Sequence, residues 1–66
     1  MQKNNEYETE CTMILEYLED RPKFTSEIIE YMETSKIQCH AILQYLTSSN
    51  QIEKIGTGDT AIYQLL

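Results

Sequence analysis

Two cysteines, one histidine and a Gly-Thr-Gly-Asp turn are the residues of this chain whose types most often carry catalysis or metal binding. Cys39 and His40 adjoin, but neighbours on a helix point about 100° apart, and no Cys-x-x-Cys or His-x-x-x-His pair accompanies them. The turn at residues 56–59 is too short for a phosphate-binding loop, and a single histidine offers no arguable Ser-His-Asp set. We therefore predict no enzyme activity, no metal and no cofactor. Both thiols, Cys11 and Cys39, are interpreted as reduced, buried, small hydrophobes.

The distribution of acidic residues is the more informative feature. The chain has eleven Asp and Glu against five Lys and Arg, yet only Glu53 and Asp59 follow Glu33. Residues 34–51 contain no carboxylate at all. A surface that binds a polyanion is expected to lack carboxylates. Clustering of acids on other helices is equally expected of ordinary solvated faces, so both interpretations stay open.

Length and hydrophobic spacing predict one small domain. A chain of 66 residues with 41% hydrophobic content has room for a single core, which we assign to residues 6–66 behind a polar tail at residues 1–5. A first helix is predicted near residues 6–20, where apolar side chains recur at helical spacing. Pro22 disfavours helical geometry at the residue before it and should end that helix.

Two further helices are predicted from their starts. Thr25 is a favourable N-cap for a helix at residues 26–33. Ser35, followed three residues later by Gln38, has the spacing of a capping box for a third helix at residues 36–49, from Lys36 to Ser49. Only a few residues join these two helices.

A β-hairpin is predicted after the third helix. Strand-forming residues lie on both sides of a glycine-containing bend at residues 56–59. One core must collect the apolar stripes of all these elements. Its predicted members are Ile14, Leu15, Leu18, Ile28, Met32, Leu43, Leu46, Ile52 and Tyr63, with Leu65 also facing inward.

The order helix, helix, helix, hairpin carries a family resemblance. The runs I-L-x-x-L, T-S-E-I-I, A-I-L-Q-Y-L, Q-I-E-K-I and I-Y-Q-L follow one another over about fifty residues. This pattern resembles the winged helix-turn-helix DNA-binding domains, and is most similar to the small FaeA-like regulators of fimbrial and pilus operons. The resemblance implies a small α+β fold with three helices and a C-terminal hairpin wing. It also implies that the third helix reads the DNA major groove.

Side chains on that helix can be sorted by angle at 100° per residue. The direction opposite the apolar stripe is occupied by Ile37, Ala41, Gln44 and Ser48. Glutamine can bond an adenine edge, and small apolar side chains can contact a thymine methyl. The expected DNA-binding residues are Ser35, Lys36, Ile37, Gln38, His40, Ala41 and Gln44 on the helix, with Lys54 and Thr57 on the wing.

The low number of cations sets the expected partners. The formal net charge is −6, whereas DNA binding usually draws on several Lys and Arg contacts. We expect a cytoplasmic regulator that binds double-stranded DNA with help from dimerisation or from a protein already on the DNA. No membrane and no small-molecule substrate are expected. The alternative is an acidic winged-helix protein-interaction module, such as a phage-, virus- or plasmid-encoded inhibitor or antirepressor, because the outward face is partly apolar.

Overall fold

Three helices and a three-stranded antiparallel sheet make up the computed structural model, which describes residues 5–66, with side chains from residue 8 onward except Asp59. The strand order in the sheet is β1-β3-β2. No helix among these residues is long and apolar enough to cross a membrane. The predicted tail lies outside the described residues except Asn5, at which the first helix begins. The elements are α1 (Asn5–Tyr17), β1 (Lys23–Phe24), α2 (Thr25–Met32), α3 (Lys36–Ser48), β2 (Ile52–Ile55), a 3-10 turn (Gly58–Thr60) and β3 (Ile62–Leu65).

The predicted end of the first helix, at residue 20, is wrong, because α1 ends at Tyr17. The Tyr17 carbonyl accepts a 2.6 Å hydrogen bond from Lys23 Nζ, which lies almost wholly buried at 3% exposure. The same ammonium donates to Asp20 Oδ1 at 2.7 Å and to the Arg21 carbonyl at 3.4 Å. A cation at the negative end of the helix thus satisfies a terminal carbonyl that another helical turn would have used.

The start of α2 also differs from the prediction. Thr25 is the first helical residue and Phe24 the N-cap, because the Thr25 hydroxyl donates at 3.2 Å to the carbonyl of Ala61 in another part of the chain. Glu27 accepts from the Phe24 N–H at 2.8 Å and so satisfies one free donor at the helix start. Thr25 therefore joins the helix to the residue that precedes β3 instead of capping the helix.

The strand β1 was not predicted from the sequence. Its two residues pair with β3, Lys23 opposite Tyr63 and Phe24 opposite Ile62. In the hairpin, Ile55 is also opposite Ile62, so the outer face of the sheet carries a row of apolar side chains from Phe24 through Ile62 to Ile55, and both end members are exposed. We call this the sheet row.

The hairpin forms where it was predicted, with a longer connection. β2 and β3 pair from Ile52 opposite Leu65 to Ile55 opposite Ile62, so residues 56–61 form the loop. Gly56 and Gly58 have φ values of 90° and 67°, which glycine adopts without the penalty that a Cβ brings. The bend therefore favours glycine at both positions.

The predicted core is confirmed at most positions. The residues that form it are Ile14, Leu18, Ile28, Met32, Cys39, Ile42, Leu43, Leu46, Ile52 and Tyr63, with Ala61 also buried. Leu15 is half-buried and packs against this cluster. Leu65 lies on the predicted side of the sheet, opposite buried Ile52 and two residues from buried Tyr63, but at 37% exposure it is not part of the core.

Two tyrosine rings join α1 to α2 at the edge of this core. The rings of Tyr17 and Tyr31 stack with centroids 4.0 Å apart and planes 4° from parallel. Lys23 Nζ lies 4.2 Å from the centroid of the Tyr17 ring, within range of a cation–π interaction. The buried ammonium and the ring stack therefore hold the two helices and β1 together.

Candidate nucleic-acid interface

The orientation of α3 is fixed by its start and by its inner face. Ser35 Oγ accepts from the Gln38 N–H at 3.0 Å, which confirms Ser35 as the N-cap. Cys39, Ile42, Leu43 and Leu46 are all buried on the side that faces the core. The opposite side of the helix must then face solvent.

The predicted outward face is confirmed. Ile37, Ala41, Gln44 and Ser48 are all exposed, and Ile37 is 83% exposed. An isoleucine so exposed adds little buried apolar surface to the fold. These four side chains are referred to below as the outward face of α3.

The flanks of α3 carry the remaining polar groups. Lys36 and His40 are exposed. Tyr45 is 60% exposed, an unusual position for an aromatic ring. Neither Lys36 nor His40 forms a salt bridge with any described residue. Both remain available to an external anion.

Gln38 is engaged between helices. Its amide Nε2 donates to both carboxylate oxygens of Glu10 on α1, at 3.0 and 3.3 Å. The predicted capping box is therefore only half formed, since the Gln38 side chain joins α1 to α3. This contact was invisible to sequence reasoning, because it depends on how two helices distant in sequence pack. Gln38 can position α3, but reading DNA would require it to leave Glu10.

The two predicted wing residues lie on a different element. Lys54 is exposed on β2, opposite Tyr63, and Thr57 is exposed in the loop that follows. β2 packs against α3, so the hairpin adjoins the helix. Lys54 forms no ion pair within the described part of the chain.

The other two cations of the described chain are used internally. Arg21 Nη2 lies 3.0 Å from Glu27 Oε2. That hydrogen-bonded ion pair raises the pKa of Arg21 and, with the Phe24 N–H, lowers the pKa of Glu27. Lys23 is buried in its contacts with Tyr17 and Asp20. Lys36 and Lys54 are thus the lysines that residues 5–66 leave for an external phosphate.

A shallow groove between α1 and α3 borders the outward face. Its volume is about 670 Å³, and it is lined by Glu8, Cys11, Thr12, Leu15, Ala41, Ile42, Tyr45 and Gln51. Partial burial, together with the charges of Glu10 and Glu8, raises the pKa of the Cys11 thiol. The groove therefore presents a carboxylate, Glu8, on the same surface as Ala41, which disfavours a phosphate at that edge of the helix.

No group of three His, Cys, Asp or Glu side chains among residues with described positions is placed to hold a metal ion. Burial, with a smaller effect of Glu10, raises the pKa of Cys39, so this thiol stays protonated and unreactive near neutral pH. A scan against protein-family models, a search of curated proteins and a search of solved structures each found no match to the chain.

Proposed function

We propose that the protein is a small winged-helix DNA-binding transcriptional regulator that inserts α3 into the major groove. The observation that supports this most is the exposed outward face of α3, which contains no carboxylate in a chain of net charge −6. The three-residue turn between α2 and α3 also supports the proposal, since a helix-turn-helix joins two helices by a short turn. The β2–β3 hairpin would then be the wing, with Lys54 and Thr57 toward the DNA backbone.

The proposal implies that one copy of the chain binds DNA weakly and with a shallow dependence on salt. If Lys36 and Lys54 each neutralise one phosphate, the logarithm of the binding constant falls with the logarithm of salt at a slope of about −2. That slope is shallow beside regulators that make six to ten phosphate contacts. A second copy of the chain, or a protein already on the DNA, would supply the missing affinity. A cytoplasmic location follows from such a function, and there the unpaired thiols of Cys11 and Cys39 would stay reduced.

The test is to titrate the wild-type protein and its variants into a pool of fluorescent DNA duplexes of random sequence. Binding is measured at low and at moderate salt. Ala41→Glu places a carboxylate on the outward face and should abolish binding while the melting temperature is kept. Ser26→Glu adds the same charge to an exposed position of α2 and should have little effect. Lys36→Ala and Lys54→Ala should weaken binding to all sequences and should each reduce the salt slope by about one unit.

Two outcomes would contradict DNA binding through α3. One is the absence of binding by the wild type at low salt, alone or as a dimer at high protein concentration. The other is an equal loss of DNA affinity in Ser26→Glu and Ala41→Glu, which would show that net charge alone governs the interaction.

The exposed apolar side chains favour a second candidate function, a protein-interaction module. Ile37 and Tyr45 are exposed on α3, and the sheet row exposes Phe24 and Ile55. Such patches are typical of protein interfaces. In that case Ala41→Glu would leave any DNA binding unchanged and would disrupt self-association or a protein complex, which sedimentation of the same variant measures.

A further inference from the structure

Resting on the proposed function, we infer that α3 reads a short run of A·T base pairs, through thymine methyl groups and one adenine edge. The inference concerns the chemical class of the target and comes from three exposed side chains, Ile37, Ala41 and Gln44.

The spacing of these side chains sets the length of the run. They lie at positions i, i+4 and i+7 of one helix face, and seven residues rise about 10 Å along a helix at about 1.5 Å each. Bases on one strand are about 3.4 Å apart along the duplex. The three side chains therefore span about three base-pair steps.

The chemistry of Ile37 and Ala41 selects thymine. Neither side chain has a hydrogen-bonding group, and the thymine methyl is the apolar feature that a base pair presents in the major groove. Against a G·C pair, the same two side chains would displace water from guanine N7 and O6 without replacing its hydrogen bonds, which is unfavourable. Ile37, exposed at 83%, has the largest apolar surface to gain by contact with a methyl group.

The chemistry of Gln44 selects adenine. Its amide offers a donor and an acceptor together, which match adenine N7 and N6. The usual readers of guanine are Arg and Lys, and the outward face of α3 has neither. Lys36 and His40 lie on the flanks, nearer the path of the DNA backbone. Ser48 can bond to several bases and does not discriminate.

The test begins with selection of binding sites from random duplexes by the wild-type protein. Enrichment of a run of about three to four A·T pairs is expected. The selected duplex is then remade as a set in which deoxyuridine replaces one thymidine at a time. Each replacement removes one methyl group and nothing else. The loss of one buried methyl should weaken wild-type binding about fourfold. Replacing the contacted adenine by 7-deazaadenine, which lacks the N7 acceptor, should weaken it about tenfold.

Variants assign each effect to its side chain. Ile37→Ala should abolish the sensitivity to deoxyuridine at one position and leave the other positions sensitive. Gln44→Ala should abolish the sensitivity to 7-deazaadenine. Lys36→Ala is the matched control, because it should weaken binding to the thymidine and deoxyuridine duplexes by the same factor. A 5-methylcytosine placed at the position of a lost thymine should recover part of the binding, since it restores a methyl at the same place in the groove.

The outcomes separate the two levels of the argument. Wild-type protein that selects G·C-containing sites, or that binds thymidine and deoxyuridine duplexes equally, overturns the A·T assignment while DNA binding stands. Wild-type protein that selects no duplex at low salt overturns the proposed function and this assignment with it.

Discussion

Replacing the buried Lys23 by methionine should destabilise the fold by about 2–5 kcal/mol. Methionine keeps the length of the aliphatic stem but removes every donor from Nζ. The 2.6 Å bond to the Tyr17 carbonyl is a charged hydrogen bond of the kind that contributes about 1.5–3 kcal/mol. The cation 4.2 Å above the Tyr17 ring adds about 0.5–2 kcal/mol. A chain of 66 residues has a total stability of only about 3–10 kcal/mol.

The ion pair between Lys23 and Asp20 contributes little to the stability loss expected for Lys23→Met. The Asp20 side chain is 75% exposed, and solvent screens most of its attraction to the ammonium. Asp20→Asn therefore serves as the control, since its amide oxygen can still accept from Nζ. Urea unfolding followed by circular dichroism at 222 nm measures both variants. Two results would refute the claim that the bond from Lys23 to the Tyr17 carbonyl stabilises the fold. One is a Lys23→Met variant that unfolds at the wild-type urea midpoint. The other is an Asp20→Asn variant that loses as much stability as Lys23→Met.

Three further predictions concern stability. Leu46→Ala should cost about 2–5 kcal/mol in a thermal melt, because the side chain is fully buried, and a small change would contradict the phase of α3. A hydrogen bond from Lys23 lowers the pKa of Asp20 below the ordinary 3.8, and one from Arg21 lowers the pKa of Glu27 below the ordinary 4.5. The stability that these two charged carboxylates add to the fold is therefore fully present at pH values above the ordinary pKa values. This stability should be lost as the pH falls through the lowered pKa values. The urea midpoint of the double variant Asp20→Asn, Glu27→Gln should therefore fall less at acid pH than that of the wild type. Glu33→Gly should stabilise the protein by about 0.5–1 kcal/mol, since Glu33 has φ 55° at the end of α2. Glu33→Gln, which removes only the charge, should stabilise the protein by less than half as much in the same melt.

Sequence reasoning succeeded where the signal was local and repeated. The bounds of α3 differ from the prediction by one residue, because Ser35 marks the start and four apolar residues at helical spacing fix the phase. Outward positions such as Ile37 and Gln44 followed directly from that phase, since a helix whose inner face is known has only one outer face.

The errors occurred where a distant part of the chain decided a local outcome. α1 ends at Tyr17 because Lys23, six residues on, satisfies its carbonyl. Thr25 failed as a cap because its hydroxyl donates to Ala61, thirty-six residues away. Gln38 was predicted to complete a capping box with Ser35, whereas its side-chain amide donates to Glu10 on another helix. Neither hydrophobic period nor turn chemistry carries information about such contacts.

The stacked rings of Tyr17 and Tyr31 give this molecule a built-in optical reporter. The chain contains five tyrosines and no tryptophan, so tyrosine dominates its absorption near 280 nm and its ultraviolet emission. Two chromophores whose planes are parallel and whose centroids are 4.0 Å apart couple their electronic transitions. The near-ultraviolet dichroism of the native protein should therefore contain an exciton contribution from this one pair. Because one ring belongs to α1 and the other to α2, that contribution reports the docking of the two helices without any attached label.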